Sequence, residues 1–118
     1  MKTHLSTADV IRRYYAAYEN KDRQAIEVLL ADDFRFSSPR DDHIDRTAYL
    51  QRCWPNNERI HAFHIERLFV DGSEAFVLYL LEPTIGPTFR NTEFFRTAGG
   101  QVKEVEVYFG SPKGTVGD

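Results

Sequence analysis

Apolar residues recur at helical spacing in the first half of the chain and at every second position in the second half. Ser6 followed by Asp9 forms a capping pair, and Val10, Ile11, Tyr14, Ala17 and Tyr18 then fall on one stripe, which predicts a first helix over about Thr7 to Glu19. Asn20-Lys21-Asp22 breaks the stripe. Asp22 can cap a second helix that turns Ala25, Ile26, Leu29 and Leu30 inward, so the two helices should form a hairpin. Phe34-Arg35-Phe36 alternates as a short strand, followed by Ser37-Ser38-Pro39 and a polar loop, Arg40-Asp41-Asp42-His43. Asp45 caps a third helix carrying Tyr49, Leu50, Cys53 and Trp54 on one side, and Pro55 stops it by restricting the residue before it.

From Ile60 the period is two, and strands are predicted near Ile60 to Val70, Ser73 to Glu82, Thr88 to Thr97 and Val102 to Phe109. Asp71-Gly72 and Gly99-Gly100 mark the hairpin turns between them. Helices first and strands afterward argue for an α+β domain with segregated layers, the sheet curling over the helices. With 118 residues and no internal repeat, a single domain is expected over 1–118, with an ordered core of about 6–110 and a flexible tail over 111–118.

Composition narrows the functional classes. A hydrophobic share of 42% and a charged share of 28% require a packed core rather than a disordered chain. The net charge is −3 and the basic residues are scattered, which argues against a nucleic-acid partner. Eighteen apolar residues never run together and the start leads directly into a polar helix signal, so no membrane span or leader is read and a cytoplasmic location is expected. Cys53 is the single cysteine, which rules out an internal disulfide and a thiolate zinc cage, and its neighbours Leu50 and Trp54 mark it as a packing residue.

The order helix, helix, short strand, helix and four-stranded meander, together with Ile11-Arg12-Arg13-Tyr14-Tyr15-Ala16-Ala17-Tyr18, Leu30-Ala31-Asp32-Asp33-Phe34, Asn91-Thr92-Glu93-Phe94-Phe95 and Val105-Glu106-Val107-Tyr108-Phe109-Gly110, resembles the SnoaL-like, ketosteroid-isomerase-like branch of the nuclear-transport-factor-two-like superfamily. The resemblance covers nearly the whole chain. It implies three N-terminal helices packed in the concave face of a strongly curved, mainly antiparallel sheet, a cone-shaped half barrel with an internal pocket for a small apolar molecule. It also implies a homodimer formed through the outer face of the sheet. Members differ in chemistry, so the residues have to name the reaction.

In the steroid isomerases of this superfamily, a tyrosine on the first helix and a protonated acid on the sheet hold the enolate oxygen, while a carboxylate after the first strand moves the proton. Tyr14 matches the tyrosine. The carboxylate position reads Ser38, whose neutral hydroxyl cannot abstract a carbon-bound proton unaided. A three-residue loop Ala98-Gly99-Gly100 would set Glu93 opposite Val105 and Asn91 opposite Val107, placing Glu93 in an apolar wall where its pKa should rise. A two-residue Gly-Gly turn would set Glu93 against Glu106, a penalised like-charge pair. Glu93 on the outer face, paired with Arg90 or Arg96, is the competing arrangement, as is Tyr14 serving only as core.

Tyr18, Phe36, Ser38, Trp54, His61, Asn91, Phe95, Val107 and Phe109 are expected to form the ligand-binding wall. Asp42 and His43, near the expected mouth, are candidate proton movers in place of a base at Ser38. His61 would fall opposite Glu82 across a two-residue Asp71-Gly72 turn. His61 and His64, three apart in a strand, point to opposite faces and cannot jointly hold a metal, and no metal or organic cofactor motif is read. Two readings follow: a cofactor-independent isomerase, lyase or cyclase acting on a small apolar carbonyl compound through Glu93, Tyr14, Asp42 and His43, or a non-catalytic ligand-binding or dimeric scaffold domain.

Overall fold

Each α-helix starts where a side-chain oxygen can take up a free backbone N–H. The computed structural model describes residues 5–112. In α1 (Thr7–Glu19) the Ser6 hydroxyl accepts from the Asp9 N–H at 3.1 Å while the Asp9 carboxylate accepts from the Ser6 N–H at 3.4 Å. Asp22 caps α2 (Arg23–Leu29) through the Ala25 N–H, and Asp45 caps α3 (Arg46–Arg52) through the Ala48 N–H. The C-terminal end of α2 has no basic residue of its own. Arg46 from α3 supplies the donors instead, with Nη2 2.6 Å from the Glu27 carbonyl and Nε 3.4 Å from that of Leu30. After α3 the chain makes a 3-10 turn over Trp54–Arg59, where Pro55 cannot supply the N–H that an α-helix would need.

The remaining elements form one six-stranded sheet: β1 (Leu30–Ser38), β2 (Asp41–Asp45), β3 (Ile60–Asp71), β4 (Glu74–Pro83), β5 (Phe89–Ala98) and β6 (Gln101–Pro112), in the order β2-β1-β6-β5-β4-β3. All neighbours are antiparallel except β1 and β6, which run parallel. The fold is therefore α+β, with an open sheet. The buried face of α1, Val10, Ile11, Tyr14, Tyr15, Ala17 and Tyr18, shares one core with Phe34 of β1, Val77 and Tyr79 of β4, Phe95 of β5 and Val102 and Val105 of β6. Full burial of a Val, Ile or Phe side chain contributes roughly 1.5–3 kcal/mol, and Ile11, Phe34, Val77, Phe95, Val102 and Val105 are all completely buried.

The structure corrects three sequence expectations. The polar stretch read as a loop over residues 40–43 continues as edge strand β2, with Phe36 opposite Ile44 and Arg35 opposite Asp45. Asp, Asp and His carry little strand signal, so the backbone pairing is invisible in the pattern. The β3–β4 turn is Gly72-Ser73 rather than Asp71-Gly72, because Asp71 pairs with Glu74 and Gly72 takes the left-handed φ of 63°. The β5–β6 turn is the two-residue Gly99-Gly100, with both glycines at positive φ, as tight hairpin turns demand. β6 extends to Pro112, and residues 113–118 of the expected flexible tail lie outside the described residues.

The third correction alters the register without altering the face. Thr97 pairs with Val102 but Arg96 pairs with Glu104, so Lys103 is the extra residue of a β-bulge, and Glu93 comes to stand opposite Val107 and Asn91 opposite Phe109. The bulge restores the inward alternation that a longer loop would have produced and keeps Glu93 away from Glu106. It also aims Lys103 at β1, where its ammonium lies 2.6 and 2.7 Å from the two carboxylate oxygens of Asp33.

Candidate functional site

A cavity of about 580 Å³ opens between α1, the region around α3, and the inward faces of β4, β5 and β6. Its lining is mainly aromatic and aliphatic, including Tyr14, Tyr15, Tyr18, Phe36, Phe63, Leu81, Phe89 and Val107. Set into this lining is the Glu93 carboxyl, on a residue only 5% exposed. The Tyr15 hydroxyl donates to Glu93 Oε1, and Tyr79 is the second phenol that favours the ionised form of the same carboxyl. Asn91 fixes the second phenol: its Nδ2 donates to Tyr79 Oη at 3.1 Å while its Oδ1 accepts from the Gly110 N–H at 3.2 Å. With its oxygen already accepting from Asn91, Tyr79 has its own proton free for Glu93.

Burial dominates the electrostatics. It pushes Glu93 from 4.5 up to about 7, against the opposing pull of the two phenols that favour the ionised form. Burial likewise raises Tyr15 and Tyr79, and the nearby Glu93 charge raises both further, so each stays a neutral donor. A second group of hydroxyls lies in the same cavity. Tyr49 bonds Tyr14 at 2.5 Å and also bonds Tyr18, and burial is the first cause that lifts all three pKa values. Three hydroxyl protons serve two bonds among these oxygens, so one O–H remains to be donated to an acceptor in the cavity.

The structure distributes the expected site residues unevenly. Glu93, Tyr14, Tyr18, Phe36, Ser38, Asn91, Val107 and Phe109 line the cavity. Phe95 and Trp54 do not; Phe95 is fully buried against Tyr14 and Tyr15, and Trp54 packs on Tyr18, so both support lining residues from behind. His61 is exposed and lies outside the cavity. The Gly72-Ser73 turn, together with a bulge between Ile65 and Arg67, shifts the pairing so that Ala62 stands opposite Glu82, and the histidine that reaches Glu82, at 3.0 Å, is His64.

Asp42 and His43 also lie elsewhere. Both are exposed on β2, His43 at a positive φ of 52°, with its Nδ1 2.6 Å from Asp42 and its Nε2 3.8 Å from Glu104. The hydrogen bond to Asp42, followed by the Asp42 charge, raises the pKa of His43. Glu106 completes this outer cluster, but Glu104 also pairs with Arg96 and Glu106 accepts from Tyr108, so its carboxylates already have protein partners. Asp41, not Asp42, is the β2 carboxylate that lines the cavity, held by Arg52 at 2.5 Å with the Ser38 hydroxyl 3.5 Å away.

Tyr14 is not the partner of Glu93; its neighbour Tyr15 is. The sequence reading missed Tyr15, Tyr79 and Tyr49 as polar members of the site. The signal for Tyr79 was present in the alternation Ala75, Val77, Tyr79, Leu81, all buried, which carries the inward face of β4 to the position opposite Asn91. Cys53 lines the cavity half-buried, and burial pushes its thiol up to about 11, so it is not a thiolate at neutral pH. Among the described residues no helix is long and apolar enough to cross a membrane.

A family model described as a SnoaL-like domain matches residues 11–105. No curated protein sequence matches the chain. Among solved structures, an NTF2-like protein of unknown function from Cytophaga hutchinsonii is 21% identical over 92% of this chain and 94% of its own, with a TM-score of 0.74. An LEH-like epoxide hydrolase from M. tuberculosis is 23% identical over 87% and 81%, with a TM-score of 0.70. A Catenulispora acidiphila protein with a ketosteroid isomerase-like fold, in complex with trimethylamine, is 11% identical over 86% and 85%, with a TM-score of 0.72. At these identities the likeness is one of fold.

Proposed function

The chain belongs to the SnoaL-like domain family, and from that premise we propose that it is a pocket enzyme of the isomerase, lyase or cyclase type, working by acid–base chemistry on a small apolar carbonyl compound. One observation carries this reading. A carboxyl that titrates near neutrality sits in the wall of an apolar cavity, bonded by the Tyr15 phenol, with a tyrosine O–H left over nearby. A general base is most effective when its pKa lies near the working pH.

Glu93 in its ionised form takes a proton from the carbon next to the substrate carbonyl. The electron pair moves onto the carbonyl oxygen, where the spare O–H of the Tyr14–Tyr49–Tyr18 group meets the developing charge. The protonated Glu93 then returns its proton to the same or a conjugated carbon. Glu93 thus takes the proton-moving role expected of Asp42 or His43, since both of those side chains lie outside the cavity lining. The cone-shaped half barrel implied by the family suits this work, because it keeps the carboxyl away from bulk water.

A second reading, ligand binding or scaffolding without turnover, is favoured by Ser38. Its hydroxyl accepts from the Arg40 N–H at 3.1 Å and so serves the turn rather than proton transfer. A homodimer through the outer sheet face fits either reading, supported by exposed Phe69, Phe76 and Tyr108 and by the contact of Phe76 with Phe94 at 5.3 Å between ring centroids.

Deuterium uptake from D2O into the α-position of a small cyclic enone, followed by NMR, tests the enzymatic reading. Wild type should accelerate uptake, and Glu93→Gln should lose roughly a hundredfold or more of that acceleration. Uptake at the same rate in both proteins would remove Glu93 from catalysis and leave the binding reading.

A further inference from the structure

The positive charge of two guanidinium groups on the cavity is left unbalanced. Arg40 and Arg59 both line it and are both exposed, and among the described residues neither has a carboxylate within ion-pair distance. The acids facing the same space do not offset them: Asp41 is already answered by Arg52 at 2.5 Å, and Glu93 lies buried in the wall with Tyr15. The Arg40 guanidinium carbon stands 5.9 Å from the centre of the Phe109 ring, itself a half-exposed lining residue, so its charge is held over an apolar wall. In a protein of net charge −3, each of these arginines brings an unpaired positive charge to the cavity lining.

We propose that Arg40 and Arg59 form an anion subsite at the cavity, and that the substrate is an apolar molecule carrying a carboxylate as well as its reacting carbonyl. This rests on the reading that the cavity takes a small carbonyl compound, and it specifies which kind. The apolar body packs among Phe63, Leu81 and Phe89, and the carbonyl end meets Glu93 and the tyrosine hydroxyls. The carboxylate stays near solvent, where the planar guanidinium fork matches its two oxygens. Placing the anion at the arginines keeps it apart from Glu93, whose ionised form would repel it.

Calorimetric titration of the full chain with naphthalene-2-carboxylate and with its methyl ester tests the subsite. The two probes share the apolar body and differ in charge. At low ionic strength, wild type should bind the acid about tenfold more tightly than the ester, the scale expected of two partly exposed charge-assisted contacts, and added salt should narrow the gap. Arg40→Gln and Arg59→Gln should each remove part of the preference, the double variant should abolish it, and Arg59→Glu combined with Arg40→Gln should reverse it, with ester affinity unchanged throughout. That constant ester affinity separates loss of charge recognition from loss of fold. Equal binding of acid and ester by wild type, or a preference that survives the double substitution, overturns the anion subsite and leaves the carbonyl reading standing. Failure of both probes to bind overturns the subsite together with the cavity reading it rests on.

Discussion

Replacing Glu93 by glutamine should make the protein more stable above neutral pH and remove a pH dependence that wild type shows. Glu93 titrates at about 7 in the folded protein, against an ordinary value of 4.5, and burial is the leading cause. Below pH 4.5 the folded and unfolded chains both hold the proton, so this group contributes no difference. Between 4.5 and 7 the unfolded chain releases its proton first, and stability falls as pH rises because the folded state binds more protons. Above 7 both forms are ionised and the penalty is constant. At about 1.4 kcal/mol per pKa unit it comes to about 3 kcal/mol. Urea unfolding of wild type and Glu93→Gln from pH 4 to pH 9 isolates this contribution, since the other titrating groups cancel in the difference. The glutamine variant should gain about 3 kcal/mol relative to wild type between the two ends of that range, on the order of 10 °C in Tm. A difference that stays flat with pH, or grows toward acid, would show that the carboxyl is not held in a dehydrated wall.

Two further substitutions test the surroundings of that carboxyl. Tyr15→Phe removes a donor that favours the ionised form, so the Glu93 midpoint should move above 7 in a carbon-13 NMR titration, and the stability lost, roughly 1–3 kcal/mol, should appear mainly on the alkaline side. An unchanged or lowered midpoint would contradict the assignment of Tyr15. Gly110→Ala would place a Cβ 2.1 Å from the Arg90 carbonyl oxygen, where backbone has to yield, and should cost at least roughly 1–3 kcal/mol in urea unfolding while disturbing the Asn91 contact; a change within about 0.5 kcal/mol would refute it.

Much of the fold was legible because local signals agreed with one another. The caps at Ser6, Asp22 and Asp45, the stripe on α1 and the alternation in β4 and β5 each specify an element on their own. The pattern did not reveal β2, because an edge strand of Asp, Asp, His and Ile is defined by what it pairs with rather than by its own propensities. The inward face of Glu93 came out of a wrong turn and an unseen bulge that offset each other. Parity is the robust quantity in a hairpin, and the residue directly opposite is not. The polar contacts of the site were hidden for a related reason. Tyr14 and Tyr15 both fall on the buried side of α1, and which hydroxyl meets Glu93 depends on how the helix is rotated over the sheet, a tertiary fact with no local signature.

The placement of β6 has a consequence for how the protein is made. β1 and β2 join the remaining strands only through β6, which lies between β1 and β5 although it comes last of the six in the chain. A nascent chain that has emerged only as far as β5 holds two disconnected strand ribbons with open edges, so the sheet cannot assemble until the final strand has left the ribosome. Pairings that span such long sequence separations are slow to form, and the unfinished edges are the segments most in need of protection from other chains during synthesis.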